Sequence, residues 1–291
     1  MMMDICFKCD INQKIDYVFF DTGLEYDATK QHLDYLEKKY GVSIERHKAK
    51  ITIPLSCKNF GQPFVSKYVS QQIASLQKHG FEWEDKPLEE LLDKYSGCKT
   101  ALKWWSNYGE MRTYKISNHR WLREFLIENP PSFPISDKCC KYAKKDVSHS
   151  LLKERQYDLL ITGIRQSEGG IRAVQYTNCY TAKTDGASSY RPLFWYTNSD
   201  KDEYEKHYNI VHSECYTKYG FLRTGCVCCP FGRNVHEELD IIKIYEPKKY
   251  VAVNSIFKDS YDYTRRYREF AKKKKQEEKE DKVLQEIKTD S

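Results

Sequence analysis

Cysteine is where this sequence concentrates its chemistry. Two cysteines stand side by side, Cys139-Cys140, and two more, Cys226 and Cys229, frame a C-x-x-C within Gly225-Cys226-Val227-Cys228-Cys229-Pro230. Thiols gathered in this way either bridge one another or bind metal, and adjacent cysteines are poorly placed to bridge. A four-thiolate set suits an iron–sulfur cluster or zinc. A cubane spreads its ligands over separate irons, so neighbouring cysteines can both serve. One tetrahedral ion takes adjacent ligands less readily, because the intervening peptide is short and stiff. A [4Fe-4S] centre on Cys139, Cys140, Cys226 and Cys229 is therefore the first expectation and Zn the alternative. Unligated buried thiols are the plain reading. Cys228 is an extra thiol in the second motif, able to displace a neighbour as ligand.

Eleven cysteines in 291 residues call for a compartment to match. The opening Met1-Met2-Met3-Asp4-Ile5-Cys6 has no basic region followed by an apolar stretch, so no secretory signal is read there. That favours a reducing, cytoplasmic setting, where thiols serve metal or redox chemistry rather than disulfides. No run is apolar enough for a membrane helix. With 14% aromatic and 31% charged residues the composition is that of a globular chain. The net charge of +6 reads as spread along the chain; it permits a nucleotide or nucleic acid without requiring one. The tail from Arg268 to Ser291 balances eight basic against seven acidic residues and suits a solvated, salt-bridged helix.

The elements that must position these thiols form an α/β pattern. Tyr17-Val18-Phe19-Phe20 and Leu159-Leu160-Ile161-Thr162 read as buried parallel strands, each flanked by amphipathic helical stretches. A helix is expected from Ala28 to Tyr40, stopped by Gly41, with a strand at Ile44 to Lys48. Ligands in such sheets sit beyond the carboxyl ends of the strands, where Asp21, Thr22, Gly23, Gly163 and Arg165 fall. The expected organisation is a nucleotide-binding α/β domain over 1–54 and 135–197, a helical insertion over 55–134, a Cys-rich region over 198–246, and a C-terminal helix and charged tail over 247–291. Trp104, Trp105 and Trp121 in the insertion are expected to be core. Cys139 to Arg155 reads as a helix that begins with the cysteine pair.

Several stretches, in order, resemble the phosphoadenosine phosphosulfate reductase family within the adenine nucleotide alpha-hydrolase group. Phe20-Asp21-Thr22-Gly23-Leu24-Glu25 is similar to its strand-end D-T-G-L motif. Cys139-Cys140 with Lys144-Lys145 is similar to C-C-x-x-x-K, and Gly163-Ile164-Arg165-Gln166-Ser167-Glu168 with Arg172 to G-x-R-x-x-E-x-x-x-R. Arg191-Pro192-Leu193-Phe194-Trp195 resembles P-L-x-x-W with one residue fewer before the tryptophan, and Tyr219-Gly220 with Gly225-Cys226 to Cys229 matches the closing segment. The resemblance covers Tyr17 to Pro230. It implies a Rossmann-like parallel sheet, ATP or an adenylyl sulfate as ligand, and Asp21, Thr22 and Gly23 lining the nucleotide crevice. Gly163, Arg165 and Arg172 would grip an oxyanion with Glu168 orienting a guanidinium, since such forks match tetrahedral oxyanions. In cluster-bearing relatives, C-C with a distant C-x-x-C holds a [4Fe-4S] centre near the substrate, which points to Cys139, Cys140, Cys226 and Cys229.

Two family features are absent from this sequence. The S-G-G-x-D-S phosphate loop is not found, and Met1 to Asn12 looks like the helix that follows it, so a longer product with an upstream start is expected. The missing first strand would be central to the sheet and leave two edges facing a gap. No cysteine follows Cys229, so the E-C-G-x-H nucleophile of the reductases has no counterpart. The expected function is adenine-nucleotide-dependent sulfur transfer or sulfonucleotide processing, with a protein or nucleic acid as a further partner. The alternative is a non-catalytic, metal-stapled accessory protein.

Overall fold

In the computed structural model, residues 1–291 are described except 11, 13, 170–174, 185, 290 and 291; the side chains of 113 and 283–289 are also set aside. The chain divides into two compact units, Met1–Lys50 with Tyr142–Thr224, and Ile51–Lys141 with Gly225–Ser291.

The first unit begins with α1 (Met2–Cys9), followed by β1 (Tyr17–Asp21), α2 (Asp27–Tyr40) and β2 (Ile44–Lys48). The apolar run Val18-Phe19-Phe20 makes β1, and β2 lies parallel to it from Tyr17 opposite Ile44 to Asp21 opposite Lys48. Gly41 ends α2 in the left-handed region (φ +65°) and donates its N–H to the Glu37 carbonyl at 2.9 Å, a conformation that glycine adopts without a Cβ penalty. Buried Asp4 of α1 accepts hydroxyls from Tyr40 (2.9 Å) and Tyr204 (2.7 Å), tying α1 to α2 and to α10 (Asn198–His207). A π-helical turn, Lys141–Lys145, leads into α9 (Asp146–Glu154) and then β3 (Leu159–Ile161). β3 pairs parallel with β5 (Ser188–Tyr190), which carries β4 (Tyr180–Thr181) antiparallel. α11 (Glu214–Thr217) closes this unit.

The unit is thus mixed α/β with parallel pairing at both expected apolar runs. Among the described residues the strands form two separate sheets, β1–β2 and β3–β5–β4, rather than one continuous sheet, and β4 runs antiparallel to β5 where only parallel pairing was expected. The physical reason lies in burial. A parallel sheet needs helices on both faces, and β3 is three residues long with Leu159 39% exposed.

The second unit is helical: α3 (Ile53–Phe60), α4 (Lys67–Lys78), α5 (Leu88–Lys94), α6 (Lys99–Trp105), α7 (Leu122–Glu128), α8 (Lys138–Cys140), α12 (Val235–Tyr245), α13 (Pro247–Ile256) and α14 (Lys258–Thr289). Its core gathers Phe64, Ile73, Leu76, Leu102, Trp104, Trp105 and Phe125 from the inserted segment with Tyr263 from α14. The insertion and the C-terminal helix therefore close on one core. α14 is polar over much of its length and carries i,i+4 pairs such as Lys258–Asp262 and Lys273–Glu277. One stripe is not solvated: Tyr263, Tyr267 and Phe270 pack at tilted or edge-on angles around Phe125 with ring centroids at 5.0, 5.3 and 5.6 Å. Among the described residues no helix is long and apolar enough to cross a membrane.

Candidate functional site

All the thiols singled out by spacing belong to the second unit. They are assembled by a close backbone approach at the end of α3. Gly61 (φ +106°) has no Cβ, and one built there would lie 2.3 Å from the Pro134 carbonyl oxygen. The contact lets Gln62 donate to Pro134 O (2.9 Å) and Ser136 donate to Gln62 O (2.9 Å), a parallel bridge between Gln62 and Ile135. α3 accordingly packs against α8, and Cys57 of α3 meets Cys139 of α8. Cys139 is buried and hydrogen-bonded to both Cys140 and Cys57.

The second motif reaches the same place. Cys229 interacts electrostatically with Cys226, Cys140 and Lys67, and Cys139 with Cys229. Its loop is wound by Cys229 N–H to Cys226 O (3.2 Å) and Gly232 N–H to Cys229 O (2.7 Å), while the Phe231 N–H donates to the Cys229 thiol. Cys139, Cys140, Cys226 and Cys229 are therefore electrostatic neighbours, with Cys57 hydrogen-bonded to Cys139. Cys228 takes the left-handed turn of this loop (φ +42°) with its side chain fully buried, and its carbonyl accepts the Tyr261 hydroxyl at 2.6 Å.

Crowding and burial set the protonation of these thiols. At Cys139 the Cys140 hydrogen bond favours the thiolate, but the bond to Cys57, burial and the neighbouring thiols outweigh it and hold the group well above the ordinary thiol range. Burial first, then Cys226 and Cys140, push Cys229 up to about 12, against the Phe231 N–H and Lys67, which favour the thiolate. Burial, then the Cys228, Cys229, Glu238 and Cys57 charges, also raise the Tyr261 hydroxyl. Mutually repelling thiolates are what a metal centre neutralises, releasing protons as it binds. Among the described residues, no three His, Cys, Asp or Glu donors are grouped so as to hold one metal ion. A single tetrahedral ion would require the thiols to draw closer together. A cubane, with one thiolate on each of several irons, asks for a wider spacing. The donor set, all sulfur, fits such a centre chemically.

The expected nucleotide residues lie in the first unit. Asp21 ends β1 and accepts Gly23 N–H at 2.9 Å, with Lys30 3.5 Å from its other oxygen. Thr22 is buried, donates its hydroxyl to Glu25 at 2.6 Å and accepts Leu24 N–H at 3.3 Å. The D-T-G turn is thus closed on buried Glu25, ahead of α2, whose N-cap is Tyr26. Beyond β3, Gly163 lies against Met2, whose sulfur is 3.0 Å from where a Cβ would stand. The Thr162 hydroxyl beside it is buried and unbonded among the described residues. Arg165 donates through Nη1 to Thr197 O (3.2 Å) and Asn198 Oδ1 (3.1 Å); its other guanidinium nitrogens bond no described residue. Glu168 accepts the Arg165 backbone N–H at 3.4 Å, which orients the turn. Arg172 lies outside the described residues.

Glu25 has a consequence for stability. Burial raises its carboxyl above the ordinary range, with Asp21 adding to this and Lys144 and the Thr22 bonds opposing it. A raised carboxyl binds its proton more tightly in the folded chain. Its stabilising contribution is complete below the unfolded value and is lost as pH rises through the folded one. Glu25→Gln keeps an acceptor for Thr22 without the charge. The variant is expected to match the parent in acid and to melt higher at neutral pH, as thermal unfolding at both pH values will report; a lower melting point at neutral pH would reverse the assignment.

Cys57 and Tyr261 were not legible as site residues: a lone cysteine and a lone tyrosine carry no spacing signal, and only the Gly61–Pro134 approach and the packing of α14 bring them in. Neither a protein-family model nor a curated protein matches this chain.

Proposed function

We propose that the chain acts in adenine-nucleotide-dependent sulfur transfer or sulfonucleotide processing, as a cluster-bearing relative of the phosphoadenosine phosphosulfate reductases. In this reading Cys139, Cys140, Cys226 and Cys229 hold a [4Fe-4S] centre in the second unit. Asp21, Thr22, Gly23, Gly163 and Arg165 face the nucleotide and its oxyanion in the first. The observation that carries the reading is the electrostatic proximity of the tandem pair to the C-x-x-C across some 85 residues of sequence. Bound there, the cluster would supply iron charge that neutralises the mutual repulsion of the four thiolates. The chain's own groups then have separate tasks. The Phe231 N–H and Lys67 stabilise the Cys229 thiolate. The Thr162 hydroxyl and the unbonded end of Arg165 are donors at the carboxyl end of β3, where α/β sheets take anionic ligands.

Purification without oxygen, followed by iron and acid-labile sulfide analysis, tests the metal assignment. About four of each per chain are expected. A colourless protein with one zinc per chain would overturn it.

A second reading, a metal-stapled accessory protein without turnover, is favoured by the inward closure of Thr22 on Glu25 and the use of Arg165 Nη1 within the fold. Calorimetry with ATP and adenylyl sulfate separates the two. Binding with turnover supports the first, and metal without nucleotide binding supports the second.

A further inference from the structure

The charge that reads as diffuse along the sequence is concentrated in one segment of the helical unit. From Lys99 to Arg123 there are six basic residues, Lys99, Lys103, Arg112, Lys115, Arg120 and Arg123, against Glu110 alone, a net +5 in a chain whose total is +6. The fold sorts this segment by face. Trp104 and Trp105 are driven fully into the core, which turns Lys99 and Lys103 of α6 outward. Beyond α6 the chain exposes large side chains that a soluble surface rarely shows together: Tyr108 (60% exposed), Met111 (56%) and Tyr114 (48%).

These rings are held in place. Lys103 Nζ sits 5.4 Å from the centre of the Tyr108 ring, and Tyr68 meets Tyr114 edge-on at 5.4 Å. Asn107 Oδ1 accepts Ser117 N–H at 2.9 Å, and Ile116 is anchored in the core, so the segment returns on itself as a braced loop. Under the loop is a cavity of about 400 Å³ lined by Asn107, His119, Arg120, Trp121 and Arg123, among others. Its charges are matched: Arg120 pairs with Glu278 and lies 4.2 Å over Trp121, and Arg123 pairs with Asp85. Lys99, Lys103, Arg112 and Lys115 pair with no described carboxylate. The arrangement is a balanced, aromatic-walled recess with unmatched cations and exposed rings outside it.

We propose that this surface, Lys99–Arg123, binds single-stranded nucleic acid. Unmatched cations suit phosphates, and braced tyrosines and the Trp121 recess suit the faces of unpaired bases, each worth about tenfold or more in affinity. A duplex hides those faces, and the flanking α6 and α7, seven residues each, are short for reading a major groove. An acidic polypeptide would use the cations and leave the rings unused. The inference is independent of the cysteine site and stands or falls without it.

The test is fluorescence anisotropy on the full chain with labelled oligothymidylate and oligouridylate of ~15 nucleotides. Binding is expected with Kd about 1–100 μM at physiological salt, and log K should fall with log salt at a slope of roughly −2 to −3 for about four phosphate contacts. Lys103→Glu with Arg112→Glu should weaken binding at least about tenfold and flatten that slope. Tyr108→Ala and Tyr114→Ala should each weaken it about tenfold and leave the slope unchanged. All four positions are exposed or at the surface, so circular dichroism should report parental folding. No binding at low salt would overturn the proposal. So would affinity unchanged in both sets of variants, a duplex preferred over the single strand, or polyglutamate competing as well as the oligonucleotide.

Discussion

Cys139→Ser and Cys229→Ser are each expected to reduce iron to about a tenth or less of the parental content and to loosen the second unit around α3, α8 and the Cys226–Cys229 loop. Both sulfurs are points of convergence: Cys139 touches Cys140 and Cys57, and Cys229 interacts with Cys226, Cys140 and Lys67. The loop's backbone bonds are short-range, and Cys228 sits in a left-handed conformation costly for a residue with a Cβ. A metal centre bound by the folded chain alone adds its binding free energy to folding, of order 10 kcal/mol for structural sites. Loss of a ligand should therefore appear as a lower melting temperature as well as lower metal, with Cys9→Ser, an exposed thiol of the other unit, as the unaffected control. Cys57→Ser discriminates among ligand sets. Full iron in that variant keeps Cys57 as a neighbour that hydrogen-bonds Cys139; iron lost with Cys57 but retained in Cys140→Ser would move the ligand assignment from Cys140 to Cys57. Iron retained in all four single variants of the tandem pair and the C-x-x-C would dismiss the centre altogether.

What could be read in advance follows from the range over which each feature is determined. β1, α2 and β2 are local: an apolar run, an amphipathic stretch and a Gly41 stop specify them, and the structure has them at Tyr17–Asp21, Asp27–Tyr40 and Ile44–Lys48. The helix that opens on the cysteine pair was likewise legible, though not its π-helical turn at Lys141–Lys145. The burial of Trp104 and Trp105 follows from their place on α6. Sheet membership was not legible, because β4 and β5 are two and three residues long and their pairing is decided by distant partners. Motifs name residue types and not acceptors. Arg165 stands beyond β3, and its Nη1 meets Thr197 O and Asn198 Oδ1, which become neighbours only when α10 is laid down. The concentration of charge between Lys99 and Arg123 was present in the sequence, but burial of the two tryptophans is what turns it into a surface.

Trp105→Ala should cost about 3–5 kcal/mol, the range for removing a large buried aromatic. Trp105 is fully buried, with Phe81, Trp83 and Trp104 around it at ring centroids of 5.2, 5.9 and 6.5 Å, and Arg123 5.4 Å over its face. Its indole N–H donates to Glu84 O at 3.0 Å. Truncation opens a cavity among rings that cannot all move in to fill it, and strands the Glu84 carbonyl. For a unit of this size the change corresponds to a fall of roughly 10 °C in melting temperature. Trp105→Phe separates the two causes: most of the packing survives while the hydrogen bond is lost, so a cost of about 1–3 kcal/mol is expected. A metal-loaded chain should melt higher in parent and variant alike, because binding to the folded state adds to its stability. The gap between them should persist, since the ring cluster is not part of the thiol site. Equal melting of Trp105→Ala and parent would mean that the insertion does not pack on this core. The grouping of α4, α6 and α7 with α14 would then have to be abandoned.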